Sequence, residues 1–175
     1  MAATMLHPMR GISITALSNK IYVAGGGFSR TKGSRVASGE VFVLDNARPS
    51  AWEAASVPWE LMTEQMIVAR WGHASAVFRG AVWVAGGLDS GNNLLKDVEY
   101  LDGKTRKWVV AASMNRGRFG VHLLLVHDEL FAVGGDNECL GVSIERLDAA
   151  TNNWVFVCEY EGGGARYVCR SRDLG

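Results

Sequence analysis

The chain contains little proline, little cysteine and no excess of charge of either sign. Its 175 residues include three prolines and three cysteines. Cys139, Cys158 and Cys169 are unevenly spaced and form no Cys-x-x-Cys pair, so the sequence predicts neither a disulfide framework nor a zinc site. The 18 basic residues balance 18 acidic ones. This balance removes any global attraction to nucleic acid or to an anionic membrane surface, and neither is an expected partner.

Long apolar runs and targeting signals are also absent. No apolar stretch approaches the roughly 20 residues that a membrane-spanning helix needs. The first ten residues lack the apolar core of a signal peptide, and no Asn-x-Ser/Thr sequon occurs. The four histidines are not at metal-ligand spacings. We therefore expect a cytoplasmic protein without a metal or other cofactor.

Glycine is abundant, with 21 residues, and it belongs to a pattern that recurs along the chain. Arg70 and Arg118 are 48 positions apart, and the tryptophans Trp108 and Trp154 are 46 apart. In each copy a short apolar run ends in a glycine pair, and a tryptophan follows after a further strand. The pairs are Gly25-Gly26, Gly86-Gly87 and Gly134-Gly135, and the tryptophan of the first copy is Trp52.

The copies predict three units of four short strands each. We assign residues 9–56 to the first unit, 66–112 to the second and 114–158 to the third. The segment 27–38 is interpreted as a long basic loop, and the outer strand of the first unit is placed near Trp52. Residues 159–175 are interpreted as an incomplete further unit or a tail, with a strand from Ala165 to Cys169.

Three in-register units of about 50 residues with a double glycine and a later tryptophan resemble the kelch repeat, which forms one blade of a β-propeller. The resemblance implies an all-β fold and a single domain over residues 1–175. It would be a partial kelch propeller of three four-stranded antiparallel blades, about half of a six-bladed ring and not closed alone. The unpaired strands at the open blade edges favour self-association, or closure of the ring by further blades.

Two details are similar to the kelch domain of BTB-kelch adaptors of cullin-3 ubiquitin ligases. These are the Met-x-x-x-Arg-x-Gly pattern in residues 66–72 and 114–120, and the sequence Val-Glu-Tyr-Leu-Asp in residues 98–102. The resemblance implies a non-catalytic module that binds a protein or peptide, with cullin-3 components recruited through a BTB region that this sequence lacks. The alternatives are an actin-associated or other kelch scaffold and, with less support, a kelch-type oxidase or epimerase. An oxidase of this kind would need a copper site of tyrosine, histidine and cysteine, which the scattered histidines do not support.

The candidate partner-binding residues follow from the same resemblance, which places Arg70 and Arg118 at the rim of the central channel. Two interpretations stay open: the guanidinium groups bind acidic side chains of a peptide, or they tether neighbouring blades. The other candidates lie just before Arg118 or in the loops after the glycine pairs; they are Asn115, Arg116, Arg30, Asp89, Asn92, Asn93, Asp136 and Asn137.

The remaining repeated residues are interpreted as structural. The glycine pairs lack the Gly-Lys-Ser/Thr sequence and the helix of a phosphate-binding loop. Glycine there supplies positive φ or close backbone approach. The three tryptophans are expected to pack between blades, and Asp45, Asp102 and Asp148 to close turns. His73 has no counterpart one repeat later, where Val121 stands, and its surroundings lack the second glycine of a nucleophile elbow.

Overall fold

The computed structural model describes residues 9–31, 34–45, 59–135, 143–161 and 166–169. Every regular element in these ranges is a β-strand, and none of the described residues forms a helix that could span a membrane. The strands are β1 Ser13–Leu17, β2 Lys20–Ala24, β3 Gly27–Thr31, β4 Ser34–Ala37, β5 Val41–Asp45, β6 Glu60–Leu61, β7 Ala74–Phe78, β8 Ala81–Ala85, β9 Val98–Leu101, β10 Trp108–Val110, β11 His122–Val126, β12 Glu129–Val133, β13 Ile144–Asp148, β14 Asn153–Glu161 and β15 Arg166–Cys169.

Three antiparallel sheets form the three blades. The first has the order β1-β2-β5-β6, the second β7-β8-β9-β10 and the third β11-β12-β13-β14-β15. A separate hairpin, β3-β4, is inserted in the chain between β2 and β5 of the first blade. The blades follow one another as successive meanders, and the fold is an all-β partial propeller that is not closed.

Three details differ from the predicted strands. The segment expected to be a loop forms the β3-β4 hairpin, in which Phe28 pairs with Val36. The fourth strand of the first blade is Glu60–Leu61, whereas Trp52 lies outside the described residues. Arg166–Cys169 pairs with β14 as a fifth strand of the third sheet. A connection of only four residues between β14 and β15 favours such an antiparallel hairpin over the start of a new blade.

The strand register gives each blade two distinct ends. At the hairpin end, tight turns join β1 to β2, β7 to β8 and β11 to β12, and Phe78 faces Ala81 across the second of these turns. Leu101 pairs with Val82, so the β9-β10 turn also lies there. At the glycine end, each inner hairpin finishes in a glycine pair. A Cβ on Gly86, whose φ is +71°, would lie 2.6 Å from the carbonyl oxygen of Arg118, so the next blade could not approach a larger residue.

The hydrophobic core lies between the blades, because successive residues of β8 face opposite neighbours. Val82 and Val84 pack toward the first blade, and Trp83 packs toward the third. We call the contact between the first and second blades the first seam, and the contact between the second and third blades the second seam. Trp108 lies in the core of the first seam and Trp154 in that of the second. Each blade therefore depends on its neighbour to bury its apolar face.

Candidate functional site

Arg70 lies at the glycine end and joins the first blade to the second. Its backbone N–H donates to Ser38 of the first blade at 3.1 Å, and its carbonyl accepts from Gly26 at 2.9 Å. Its guanidinium instead enters the second blade. There it donates to the carbonyls of Gly86 at 2.9 Å and Asp97 at 2.8 Å, and to Glu99 Oε1 at 2.8 Å.

Arg118 repeats this arrangement at the second seam. Its main chain bonds to Leu95 and Gly87 of the second blade. Its guanidinium donates to the Gly134 carbonyl at 2.6 Å, to Ser143 Oγ at 2.8 Å and to Glu145 Oε1 at 2.9 Å in the third blade.

Both guanidinium groups are withdrawn from solvent, since Arg70 and Arg118 are each 0% exposed. Burial lowers the pKa of Arg70, and the charge of Glu99 opposes this shift. Each arginine thus has its main chain in one blade and its side chain, paired with a carboxylate, in the next. This geometry favours blade tethering over the peptide-binding interpretation for these two residues.

The acidic partners of the arginines also hold the link between blades. Glu99 accepts from the backbone N–H groups of Ile67 at 2.7 Å and Val68 at 3.2 Å. Glu145 accepts from those of Asn115 at 2.7 Å and Arg116 at 3.3 Å. Neither glutamate was predicted as a site residue from the sequence. Their spacing of 46 positions, the same as that of Trp108 and Trp154, was the available signal.

The innermost strands differ between the two seams. In the first seam, a hydrogen bond of 2.9 Å joins Ser13 Oγ to His73 Nε2, and Thr15 bonds to Ser75. His73 Nδ1 is buried without a hydrogen-bond partner. Burial, aided by the nearby charge of Arg70, lowers the pKa of His73 to about 3. The imidazole is therefore neutral near pH 7.

This serine–histidine pair lacks the rest of a nucleophilic centre. A triad needs a group that orients the imidazole through its second nitrogen, and in the described residues that nitrogen of His73 bonds to nothing. The described part of the chain also contains no group of three His, Cys, Asp or Glu side chains suited to a metal ion. The pair is best understood as a polar contact within the first seam.

A half-exposed aromatic row crosses the glycine end of all three blades, and we call it the rim cluster: Arg35, Trp71 and Phe119. The Arg35 guanidinium lies over the Trp71 ring at 4.0 Å from its centroid. Trp71 meets Phe119 edge to face, with the ring centroids 4.8 Å apart. Trp71 and Phe119 follow the tether arginines directly, at the same repeat spacing of 48 positions. Neither residue was predicted as a site residue from the sequence, although that spacing could have revealed them.

The loop after the second glycine pair borders the rim cluster. Asp89 accepts from the backbone of Gly91 at 2.7 Å and from Asn93 Nδ2 at 2.9 Å. These hydrogen bonds lower the pKa of Asp89, and the bond from the Asn93 side chain has the largest effect. Ser90 Oγ accepts from Ala37 of the β3-β4 hairpin at 3.0 Å. The candidates Asn92 and Asn93 are exposed on this ordered loop.

The other predicted site residues are not brought together with this loop. Asn115 Nδ2 donates to Glu145 and to the Trp154 carbonyl, each at 2.7 Å. The Arg116 guanidinium lies over the ring of Phe156, so both residues belong to the outer part of the third blade. Asp136 and Asn137 lie outside the described residues, as does the side chain of Arg30.

Comparisons with known proteins agree with this geometry. The family model described as the Kelch motif matches residues 69–115. Kelch-like protein 36 of Rattus norvegicus is 38% identical over 90 residues, which are 49% of this chain and 15% of that protein. Kelch-like protein 25 of Homo sapiens is 28% identical over 141 residues, which are 76% of this chain and 22% of that protein. The matched part of the chain thus spans less than a quarter of either relative.

A solved structure supports the architecture. The structure titled "Structure of YjhT" superimposes with a TM-score of 0.72 over 97% of this chain and 57% of its own, at 16% sequence identity. At that identity the likeness concerns the fold alone. The repeats, the family model and the solved structure identify the chain as a kelch-repeat propeller.

Proposed function

We propose that this kelch-repeat chain is a non-catalytic module that binds a protein partner at the glycine end of its blades. The rim cluster carries the proposal. It places a tryptophan, a phenylalanine and an arginine in a continuous half-exposed row across three blades. Aromatic residues and arginine are the residue types enriched in protein interfaces and their hot spots.

The tether geometry supports the choice of the rim cluster over the arginines first considered. Arg70 and Arg118 are fully buried and paired with Glu99 and Glu145, so their charges are compensated inside the fold. Arg35 lies on the β3-β4 hairpin, where it is half-buried with its guanidinium over the Trp71 ring. The exposed Asn92 and Asn93 lie on the loop that follows Leu88, whose backbone pairs with that of Trp71, so they would extend the surface along this loop.

A finer proposal concerns the pathway. The similarity to Kelch-like proteins supports substrate recognition for a cullin-3 ubiquitin ligase as the working hypothesis. The matched part of the chain spans only 15% to 22% of those relatives, so the role in a ligase is a proposal that rests on this partial similarity. The cytoplasmic location stays a prediction.

Self-association through blade edges is a further part of this hypothesis. On the innermost strand β11, Leu124, Leu125 and Val126 are exposed by 45% to 48%. A second copy or further blades would cover such residues. Light scattering on a sizing column would give the solution mass, and binding experiments should use a preparation of defined mass.

The test begins with peptides selected from a random display library on the immobilised wild-type chain. Their affinities are then measured for Trp71→Ala and Arg35→Glu, with Lys107→Ala, a change at an exposed residue of the hairpin end, as the matched control. We expect the two rim variants to bind at least about tenfold more weakly, because hot-spot residues typically contribute 2 kcal/mol or more. Selected peptides that bind all the variants equally would refute the rim cluster as the site, provided that the melting curves are unchanged.

A further inference from the structure

A second recessed surface lies at the opposite end of the blades, in the first seam. A groove of about 700 Å³ opens between the β1-β2 turn of the first blade and two turns of the second blade. Its volume lies within the roughly 300 to 1,000 Å³ that is usual for ligand pockets. Leu17, Tyr22, Ala81, Tyr100 and Leu101 provide its less polar walls.

The groove concentrates positive charge in a chain whose formal net charge is zero. Lys20, Arg79, Lys104 and Arg106 line it together with one carboxylate, that of Asp102, so the lining carries four positive charges minus one, or +3. Three separate turns supply these residues. The turn from Asp102 to Lys107 is basic by itself, the second blade places Arg79 beside it, and packing of the first blade adds Lys20.

Three of the four cations are exposed, and one of them, Arg79, has its guanidinium 4.9 Å from the centroid of the Phe78 ring. Lys20 pairs with Asp45 at 3.1 Å. In the described part of the chain, Arg79, Lys104 and Arg106 form no ion pair with a carboxylate, and all three are exposed. The one carboxylate in the lining is already committed, because Asp102 accepts from the backbone N–H groups of Lys104 at 2.7 Å and Thr105 at 3.2 Å.

The second seam provides an internal comparison. The equivalent positions lie 61 residues after those of the first blade and 46 to 48 after those of the second, and their charged residues are Arg79, Asp128, Glu129, Arg146 and Asp148, two positive charges minus three, or −1. The Glu129 carboxylate also pairs with Arg146. The corresponding surface one blade further along is thus neutralised and slightly acidic, so the basic groove belongs to the first seam alone among the described seams.

Two of the exposed cations lie at turn positions with a left-handed backbone conformation. Arg79 and Arg106 have φ of +51° and +57°, a region in which asparagine and glycine are more usual than arginine. At the position equivalent to Arg106 in the third blade the residue is Asn152, with φ of +53°. Arginine thus occupies turn positions where a small residue would fit better, and each carries its charge to the groove.

The walls add hydrogen-bonding groups beside these charges. Tyr22 and Tyr100 line the groove, one from each blade. The ring of Tyr100 stacks on Trp83 with the centroids 4.8 Å apart and an interplanar angle of 19°, which fixes its orientation. A phenolic hydroxyl can donate to a carboxylate oxygen, and an arginine can bind a carboxylate through two N–H groups.

We propose that this hairpin-end groove binds a short acidic segment of a partner protein. Arg79, Lys104 and Arg106 would pair with its carboxylates, and the tyrosines and leucines would contact the less polar residues between them. The positive charge of the lining favours an anionic occupant. Because this charge is confined to the first seam, the occupant should be short. A nucleic-acid backbone that continued toward the second seam would meet the net negative charge there.

The experiment measures fluorescence anisotropy of a labelled peptide rich in Glu and Asp, with the same peptide carrying Gln and Asn as the neutral probe. Wild type is compared with Arg79→Asn, Arg106→Asn and the double variant. Asparagine removes the charge and tolerates positive φ, so these variants should keep their fold, as a melting curve would verify. Lys107→Ala is the matched control, because Lys107 is exposed on the same turn but does not line the groove.

We expect each single variant to bind the acidic peptide about tenfold more weakly, as the loss of one charge-assisted contact predicts. The double variant should lose binding, while Lys107→Ala and Arg35→Glu should bind as wild type does. Retained binding by Arg35→Glu would separate this groove from the rim cluster, so that either site can fail without the other.

Three results would overturn the proposal: no binding of the acidic peptide by wild type, equal binding of the neutral peptide, or equal binding by the double variant. Two further probes test the class of occupant. Tighter binding of a single-stranded oligonucleotide, or of vesicles containing phosphatidylserine, than of the acidic peptide would contradict a protein partner.

Discussion

The two seams share their tether and differ along their innermost strands. Both have an arginine that leaves one blade and pairs with a buried glutamate of the next. Between the inner strands, the first seam has the polar contacts Ser13–His73 and Thr15–Ser75. The second seam has alanine, valine and leucine there: Ala74, Ala76, Val121 and Leu123. The repeat therefore fixes how blades are joined at the glycine end and leaves the inner contact free to vary.

The first blade shows what happens where the tether is absent. The backbone N–H of Gly25 donates to the Glu40 carbonyl, and that of Gly86 donates to the Asp97 carbonyl. These equivalent hydrogen bonds show that Phe42 occupies the position in the first blade that Glu99 occupies in the second. The backbone of Arg10 pairs with that of Gly27, as the backbone of Trp71 pairs with that of Leu88. Arg10 is therefore equivalent to Trp71, and the preceding residue, Met9, is equivalent to Arg70. An apolar pair of residue types thus occupies the places of the ion pair. This joint substitution fits the rule that a buried charge is tolerated only with its partner.

The largest expected effect comes from breaking a tether. Arg70→Met or Arg118→Met leaves Glu99 or Glu145 buried without its cation, and we expect each change to lower the free energy of unfolding by about 3 to 5 kcal/mol. Urea unfolding followed by tryptophan fluorescence measures this. Adding Glu99→Gln to Arg70→Met should recover part of the loss, because it removes the uncompensated charge. A loss below about 1 kcal/mol for the single variants would contradict a shared tether.

The next effect is on the pH dependence of stability, which His73 of the first seam should determine. The pKa of His73 is lowered to about 3 in the folded chain, against about 6.5 when unfolded. Between these values the unfolded chain binds a proton that the folded chain does not, so stability falls as pH decreases through this window, by up to about 1.4 kcal/mol per pH unit.

His73→Val, which copies Val121 of the second seam, should weaken this dependence on pH. Urea midpoints measured between pH 7 and pH 4 compare the variant with wild type. The same slope in both proteins would mean that His73 does not determine the acid sensitivity of the first seam.

A smaller effect should separate the two repeated tryptophans. Trp154 Nε1 donates to the Ala112 carbonyl at 2.9 Å in the second seam, whereas Trp108 Nε1 is buried without a partner. Trp154→Phe loses a hydrogen bond in addition to packing, so it should cost about 1 kcal/mol more than Trp108→Phe. The two urea midpoints give the comparison, and a larger loss for Trp108→Phe would reverse the assignment.

The repeats allowed much of the fold to be predicted from sequence, because strand patterns and turn residues are local. The glycine pairs and most strand limits follow from them, and Asp102 and Asp148 do close turns through their carboxylates. A strand was predicted from Ala165 to Cys169, but its place as the fifth strand of the third sheet was not, since the apolar pattern alone does not determine which edge Arg166–Cys169 joins.

The candidate site was less accessible to sequence reasoning, because it depends on where side chains point. Arg70 and Arg118 were found by their spacing, but spacing could not distinguish a buried tether from an exposed binding residue. Glu99 lies 29 positions from Arg70, and only the fold brings the two together. The basic groove similarly combines three distant turns: the turn from Asp102 to Lys107 is basic by itself, and the fold adds Arg79 and Lys20 beside it.

The most direct test of the account is the affinity of the selected peptides for the Arg70→Met/Glu99→Gln chain, measured under conditions in which its melting curve shows it folded. If the arginines are tethers and the partner binds the rim cluster, the double variant should bind as wild type does, while Trp71→Ala loses binding. Loss of binding by the folded double variant, with binding retained by Trp71→Ala, would contradict the account and return the buried arginines to the binding site.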